Sequence, residues 1–134
     1  MIKLKFADVK TGKESILFVD DEESPVGIVT QILERLGYRV KATTNPFEAL
    51  EIFSADPDKF DLVIADLTMP GMSGDKLVKE ISAIRPELPI ILCSGFSDKI
   101  DGEKVKESGV RAFIMKPVVI REIAGTIRTV LDQD

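Results

Sequence analysis

Ile16-Leu17-Phe18-Val19-Asp20-Asp21 is the stretch that decides the fold: four apolar residues run straight into a pair of acids. A run this short and this continuously apolar reads as a strand buried on both faces, the pattern of a parallel sheet covered by helices. Working outward, the pattern recurs three times. Leu62-Val63-Ile64-Ala65 stops at Asp66, Ile90-Ile91-Leu92-Cys93 at Ser94-Gly95, and Ala112-Phe113-Ile114-Met115 at Lys116-Pro117. In an open α/β sheet the ligand crevice lies beyond the carboxyl ends of the strands, so three acids, a hydroxyl and a lysine are expected to converge there.

Helical patterns fill the intervals. Glu23 to Leu36 places Val26, Val29, Leu33 and Leu36 at helical spacing, with Asp21 or Ser24 as cap and Gly37 as stop. Tyr38 to Ala42 alternates, as expected of a strand with one less-covered face at a sheet edge. Asn45-Pro46-Phe47-Glu48 has the cap, first-turn proline and third-position acid of a near capping box, and the helix it opens is expected to bury Phe47, Leu50 and Phe53 before Asp56-Pro57-Asp58. Met69 to Gly74 reads as a turn, with Ser73 placed to cap a helix that buries Leu77, Ile81 and Ile84. Ser97 to Ser108 is the weakest helical pattern, holding Gly102 and only Ile100 and Val105 as anchors. The last helix, Ile120 to Leu131, carries Ile120, Ile123, Ile127, Val130 and Leu131 on one stripe. Five strands alternating with five helices predict one doubly wound domain from residue 15 to 134, preceded by a linker or extra edge strand over 1–14.

The 134 residues suffice for one core without disulfide or structural metal. A net charge of -5 argues against any sequence-independent hold on nucleic acid and directs attention to protein partners. No stretch approaches the roughly 20 apolar residues of a membrane span and no secretory signal opens the chain, so a cytoplasmic location without membrane contact is expected. The single cysteine, Cys93, lies inside an apolar run and reads as a core residue. The chain has no histidine, which excludes a Ser-His-Asp triad, a Cys-His pair, histidine-ligated zinc and a phosphohistidine donor within it. Three carboxylates gathered at one sheet end call for a cation, and an all-oxygen site suits hard Mg²⁺ better than zinc. A lysine and a hydroxyl beside them fit a phosphoryl group, whose oxygens they would neutralise and bond.

The set Val19-Asp20-Asp21-Glu22, Ala65-Asp66-Leu67-Thr68-Met69-Pro70-Gly71-Met72-Ser73-Gly74, Ser94-Gly95 and Lys116-Pro117, in that order, resembles the receiver domains of two-component response regulators over about residues 15 to 132. The resemblance implies a flavodoxin-like (βα)5 fold with a five-stranded parallel sheet in the order 2-1-3-4-5. It makes Asp66 the phosphoacceptor, Asp20 and Asp21 the acid pair that holds Mg²⁺ together with Asp66 and the backbone carbonyl of Thr68, and Lys116 the charge partner of the phosphoryl group. Ser94 becomes the switch hydroxyl and Phe113 the switch aromatic. In the family the Lys116-Pro117 bond is typically cis, and Thr68 and Phe96 flank the path of hydrolytic water. The donor implied is a histidine kinase or histidine phosphotransfer protein, and the face built from the fourth helix, fifth strand and fifth helix is an expected homodimer surface. The local flavour of Asn45 to Leu50 and Leu92 to Phe96 is similar to receivers attached to hybrid sensor histidine kinases. Two other readings stand beside it. A Mg²⁺-dependent phosphatase with an aspartate nucleophile would want Asp-x-Asp after the first strand, where Glu22 stands here; a docking module without phosphorylation would not need the acceptor, acid pair and lysine.

Overall fold

The computed structural model describes residues 10–95, 110–116 and 118–132. The predicted helix over 97–108, Phe96, Pro117 and residues 1–9 of the predicted linker lie outside that set. Five strands form one parallel sheet: β1 (Ser15–Val19), β2 (Arg39–Thr43), β3 (Leu62–Asp66), β4 (Ile90–Ser94) and β5 (Val110–Met115), in the order β2-β1-β3-β4-β5. Among the described residues the α-helices are α1 (Glu23–Arg35), α2 (Pro46–Ala55), α3 (Gly74–Ile84) and α4 (Ile120–Leu131), and a 3₁₀ turn at Pro57–Lys59 follows α2. This is the flavodoxin-like order, and none of these helices is long and apolar enough to cross a membrane.

Strand alternation sends the two halves of each apolar run to opposite faces. Leu17, Val19, Val63, Ala65, Ile90 and Leu92 pack under α2 and α3 with Ala49, Phe53, Leu77, Val78 and Ile81. Ile16, Phe18, Leu62, Ile64, Ile91 and Cys93 pack under α1 and α4 with Val29, Leu33, Ile123 and Ile127. The central strands are therefore covered on both sides, which is why their sequences are continuously apolar. β2 lies at the edge and is largely exposed along Arg39 to Lys41, matching its alternating sequence.

Local signals hold in outline, with corrections at the caps and at two helix ends. Asn45 caps α2, its Oδ1 accepting from the Phe47 and Glu48 N–H groups at 2.9 and 3.3 Å. The Asn45 N–H donates to Thr43 Oγ1 at 3.2 Å, so the reciprocal arm comes from β2 and not from Glu48. Phe47 is 52% exposed, contrary to the helical-spacing expectation, because the second residue of α2 sits at the rim with its ring against Gly71. Ile84 is 43% exposed at the end of α3, and Val78 takes the buried position. The N-cap of α1 is Glu22, not Asp21 or Ser24, and neither Glu22 nor the α3 N-cap Ser73 makes a side-chain capping bond. Gly37, at φ 106, ends α1 as its position predicts.

Residues 10–14 lie against the opposite end of the sheet from the strand termini that carry the acids. Gly12 N–H donates to Leu36 O at 3.0 Å, and Arg128 of α4 forks onto both carboxylate oxygens of Glu14 while reaching Asp132 at 3.2 Å. The Arg128 hydrogen bond holds the Glu14 carboxyl down at about 2 against the opposing effect of burial. A depressed carboxylate stabilises the fold above its ordinary pKa, near 4.5, and the contribution is lost as pH falls from there toward 2. Arg128→Ala is expected to cost about 1 kcal/mol at pH 7 and to flatten the acid limb of stability. Denaturant titrations at pH 7 and pH 3 check this; an unchanged acid limb in the variant would remove the pair as its cause.

Candidate functional site

Parallel pairing carries all the polar strand ends to one edge. Val19 is in register with Ala65, Asp66 with Cys93, and Ser94 with Met115, so Asp20, Asp66, Ser94 and Lys116 stand side by side at the carboxyl end of the sheet. Pairing continues beyond the strands: Leu67 N–H donates to Cys93 O at 2.9 Å and Lys116 N–H to Ser94 O at 2.8 Å. The chain order reverses across β1, between β2 and β3, so Asp20 and Asp66 flank the switch point of the sheet.

Asp20, Asp21 and Asp66 each present a carboxylate oxygen, all within 4.8 Å of one another. Asp20 and Asp66 are buried and Asp21 is half-buried. Asp20 Oδ1 accepts from Glu22 N–H at 3.0 Å, which fixes the carboxylate at the entry to α1. Lys116 Nζ bridges the two buried acids, 3.1 Å from Asp20 Oδ2 and 3.2 Å from Asp66 Oδ2. Burial works against the Lys116 charge, but its bonds to Asp20 and Asp66 outweigh it and raise its pKa above the usual lysine value.

Asp66, only 4% exposed, is the strained member. Burial first, then the Asp20 charge, push its carboxyl up to about 6, although Lys116 pulls the other way. One ammonium therefore does not neutralise the cluster. An all-oxygen, under-neutralised set of three carboxylates fits a hard divalent cation.

The loop after Asp66 is held by a glycine whose role no sequence rule singled out. Gly74 N–H donates to Leu67 O at 2.7 Å, and a Cβ on Gly74 would stand 2.3 Å from the Asp66 carbonyl oxygen. A glycine at the first position of a helix, where most residues form helix better, is the signal that could have found it. Thr68 lies exposed in this loop, two residues beyond Asp66, and Met69 and Met72 are buried in the core under α2 and α3.

Ser94 is brought to the same edge, but its hydroxyl donates to Met115 Sδ at 3.6 Å and is not on the carboxylate cluster. Phe113, paired with Leu92, packs half-buried against the core under α2 and α3. Cys93 is buried, and burial pushes its thiol up to about 12, so it is inert packing.

A family model described as the response regulator receiver domain matches residues 16–128. The chain belongs to that family. It is 37% identical over 108 residues to the two-component response regulator ARR10 of Arabidopsis thaliana, covering 81% of this chain and 19% of that protein. It is 30% identical over 121 residues to the polar-differentiation response regulator DivK of Brucella anthropi, covering 88% of this chain and 96% of that one. Among solved structures, a response regulator receiver domain protein from Clostridium thermocellum superposes with a TM-score of 0.84 at 28% identity, over 89% of this chain and 94% of that chain. The receiver thus spans about a fifth of the length of the plant relatives and nearly all of DivK. Of the readings open from the sequence, the match supports the two-component receiver, a signalling domain.

Proposed function

We propose that this receiver accepts a phosphoryl group on Asp66 from a phosphohistidine of a histidine kinase or histidine phosphotransfer protein. The observation that carries this is the buried Asp66 carboxylate, bridged to Asp20 by Lys116 and crowded by two further acids. An Asp66 oxygen attacks phosphorus, a P–O bond forms as the P–N bond to imidazole breaks, and the leaving imidazole takes up a proton. A carboxyl at about 6 is mostly ionised at neutral pH and so competent as nucleophile. Lys116 exchanges its contact with Asp66 for one with a phosphoryl oxygen. Asp20, Asp21 and Asp66, with the Thr68 carbonyl, would hold Mg²⁺. When bound, that ion supplies the positive charge needed on the transferring oxygens.

Residues 15–134 form the receiver unit in this reading, with the preceding residues as an extension. Ser94 and Phe113 serve as the switch pair: the hydroxyl turns to the phosphoryl group and the ring follows. The changed surface around β5 and α4 is then the output, including any homodimer contact there.

The test is incubation with acetyl phosphate and Mg²⁺, followed by intact mass measurement and peptide mapping. One phosphoryl group on Asp66 is expected, and chelation by EDTA should abolish it. A label mapped to another residue, or labelling undiminished by EDTA, would overturn the assignment.

A further inference from the structure

The Ser94 side chain is fully buried, and a buried hydroxyl needs a partner. It finds the Met115 thioether, with Oγ 3.6 Å from Sδ, a bonded distance for an acceptor as large as sulfur. Register explains the meeting. Ser94 and Met115 are paired residues of β4 and β5, so their side chains leave the same face of the sheet, the face against which Phe113 packs. β4 lies between β3, which carries Asp66, and β5. A hydroxyl committed to β5 is therefore committed away from the acceptor. Thioether sulfur is a weak acceptor, able to orient a hydroxyl but outmatched by a charged phosphoryl oxygen.

We infer that Met115 is a positioning residue that holds the Ser94 hydroxyl on the β5 side in the unphosphorylated receiver, so that the O–H···S bond must break before Ser94 can bond a phosphoryl group on Asp66. The inference rests on the roles proposed above for Asp66 and Ser94. It makes Met115, 45% exposed beside Lys116, a setting for how readily the receiver switches. A single weak bond that exists in one state only shifts the balance between states by its own strength.

Met115→Leu keeps the volume and removes the acceptor, and is expected to raise the rate of phosphorylation at limiting acetyl phosphate about two- to fivefold. Met115→Gln, with a stronger carbonyl acceptor at similar reach, should lower it by a comparable factor. In a Ser94→Ala background both substitutions should have no effect, whereas a purely structural role for Met115 would persist there. The bond is also read without phosphorylation: the ¹³C-methyl resonance of Met115 in the metal-free protein should shift on Ser94→Ala. If Ser94→Ala labels like the wild type, the proposed role of Ser94 fails, and the methyl resonance still decides whether the bond exists. If Ser94→Ala slows labelling while Met115→Leu behaves as wild type, or if the methyl resonance does not move, the positioning role of Met115 is overturned.

Discussion

Asp66→Asn is expected to abolish phosphorylation while making the metal-free protein more stable. The amide lacks the nucleophilic carboxylate, so labelling by acetyl phosphate should fall by at least about a hundredfold. The stability gain has a separate cause. Burial and the neighbouring Asp20 raise the Asp66 carboxyl from its ordinary 3.8 to about 6. A carboxyl whose folded pKa is raised binds its proton more tightly in the folded state. The wild type therefore loses stability as pH climbs from about 4 through 6, and the full cost is present above that. The uncharged amide carries no such cost. In EDTA at pH 8 the variant should exceed the wild type by on the order of 2 kcal/mol, with the gap closing toward pH 4. Mg²⁺ should narrow it again by stabilising the wild type more. Thermal or urea unfolding in EDTA across this range is the measurement, and a variant less stable than the wild type at pH 8 would show that the cluster is not electrostatically strained.

Gly74→Ala is expected to be strongly destabilising. Its Cβ would lie 2.3 Å from the Asp66 carbonyl oxygen, 2.8 Å from Leu67 Cα and 3.0 Å from the Asp66 carbonyl carbon, all backbone atoms with no rotamer in which to escape. The start of α3 would have to move off the end of β3, at a cost of about 3 kcal/mol. Because the displaced residues are Asp66 and Leu67, labelling should fall as well. Two other glycines provide the contrast. Gly27 in α1 and Gly125 in α4 have nothing within 4 Å of an added Cβ, so alanine there should stabilise the protein by about 0.5–1 kcal/mol through helix propensity. Urea titrations of the three variants make the comparison; a Gly74→Ala protein as stable as the wild type would mean that α3 is not seated against the acceptor strand.

Much of this site is legible in the amino-acid sequence. Asp20, Asp21, Asp66 and Ser94 follow buried runs, whereas the apolar run before Lys116, expected to be buried on both faces, forms the second edge strand and is only partly covered. A parallel sheet must carry strand ends of one sense to one edge. Their joint appearance there needs only that pairing be parallel and in near register. The contacts inside the site were less legible. Lys116 is separated from Asp20 by most of the chain, and its bridging position between two acids depends on β5 adding outside β4 with the offset observed. That offset includes an irregularity: Ile90 pairs with Val110 but Ile91 with Ala112, so Arg111 is an extra residue. Without this bulge Ser94 would not face Met115, since a one-residue slip exchanges the faces of a strand.

The sequence by itself determined the buried strands, the exposed edge strand, the Asn45 cap and the Gly37 stop, because each depends on a period or a backbone preference within a few neighbouring residues. Only the tertiary structure decided which members of a helical stripe are covered. Phe47 and Ile84 satisfy the spacing as well as Phe53 and Ile81 do, yet they fall at helix ends that overhang the sheet. Only the tertiary structure revealed that Gly74 is required, since a glycine's necessity lies in the backbone it touches and Asp66 is eight residues away. The charge state of Asp66 belongs to the same class. Its sequence neighbours are Ala65 and Leu67, and what lifts its pKa, burial in the folded sheet first and then Asp20 and Asp21 from the end of β1, exists only once the strands have assembled.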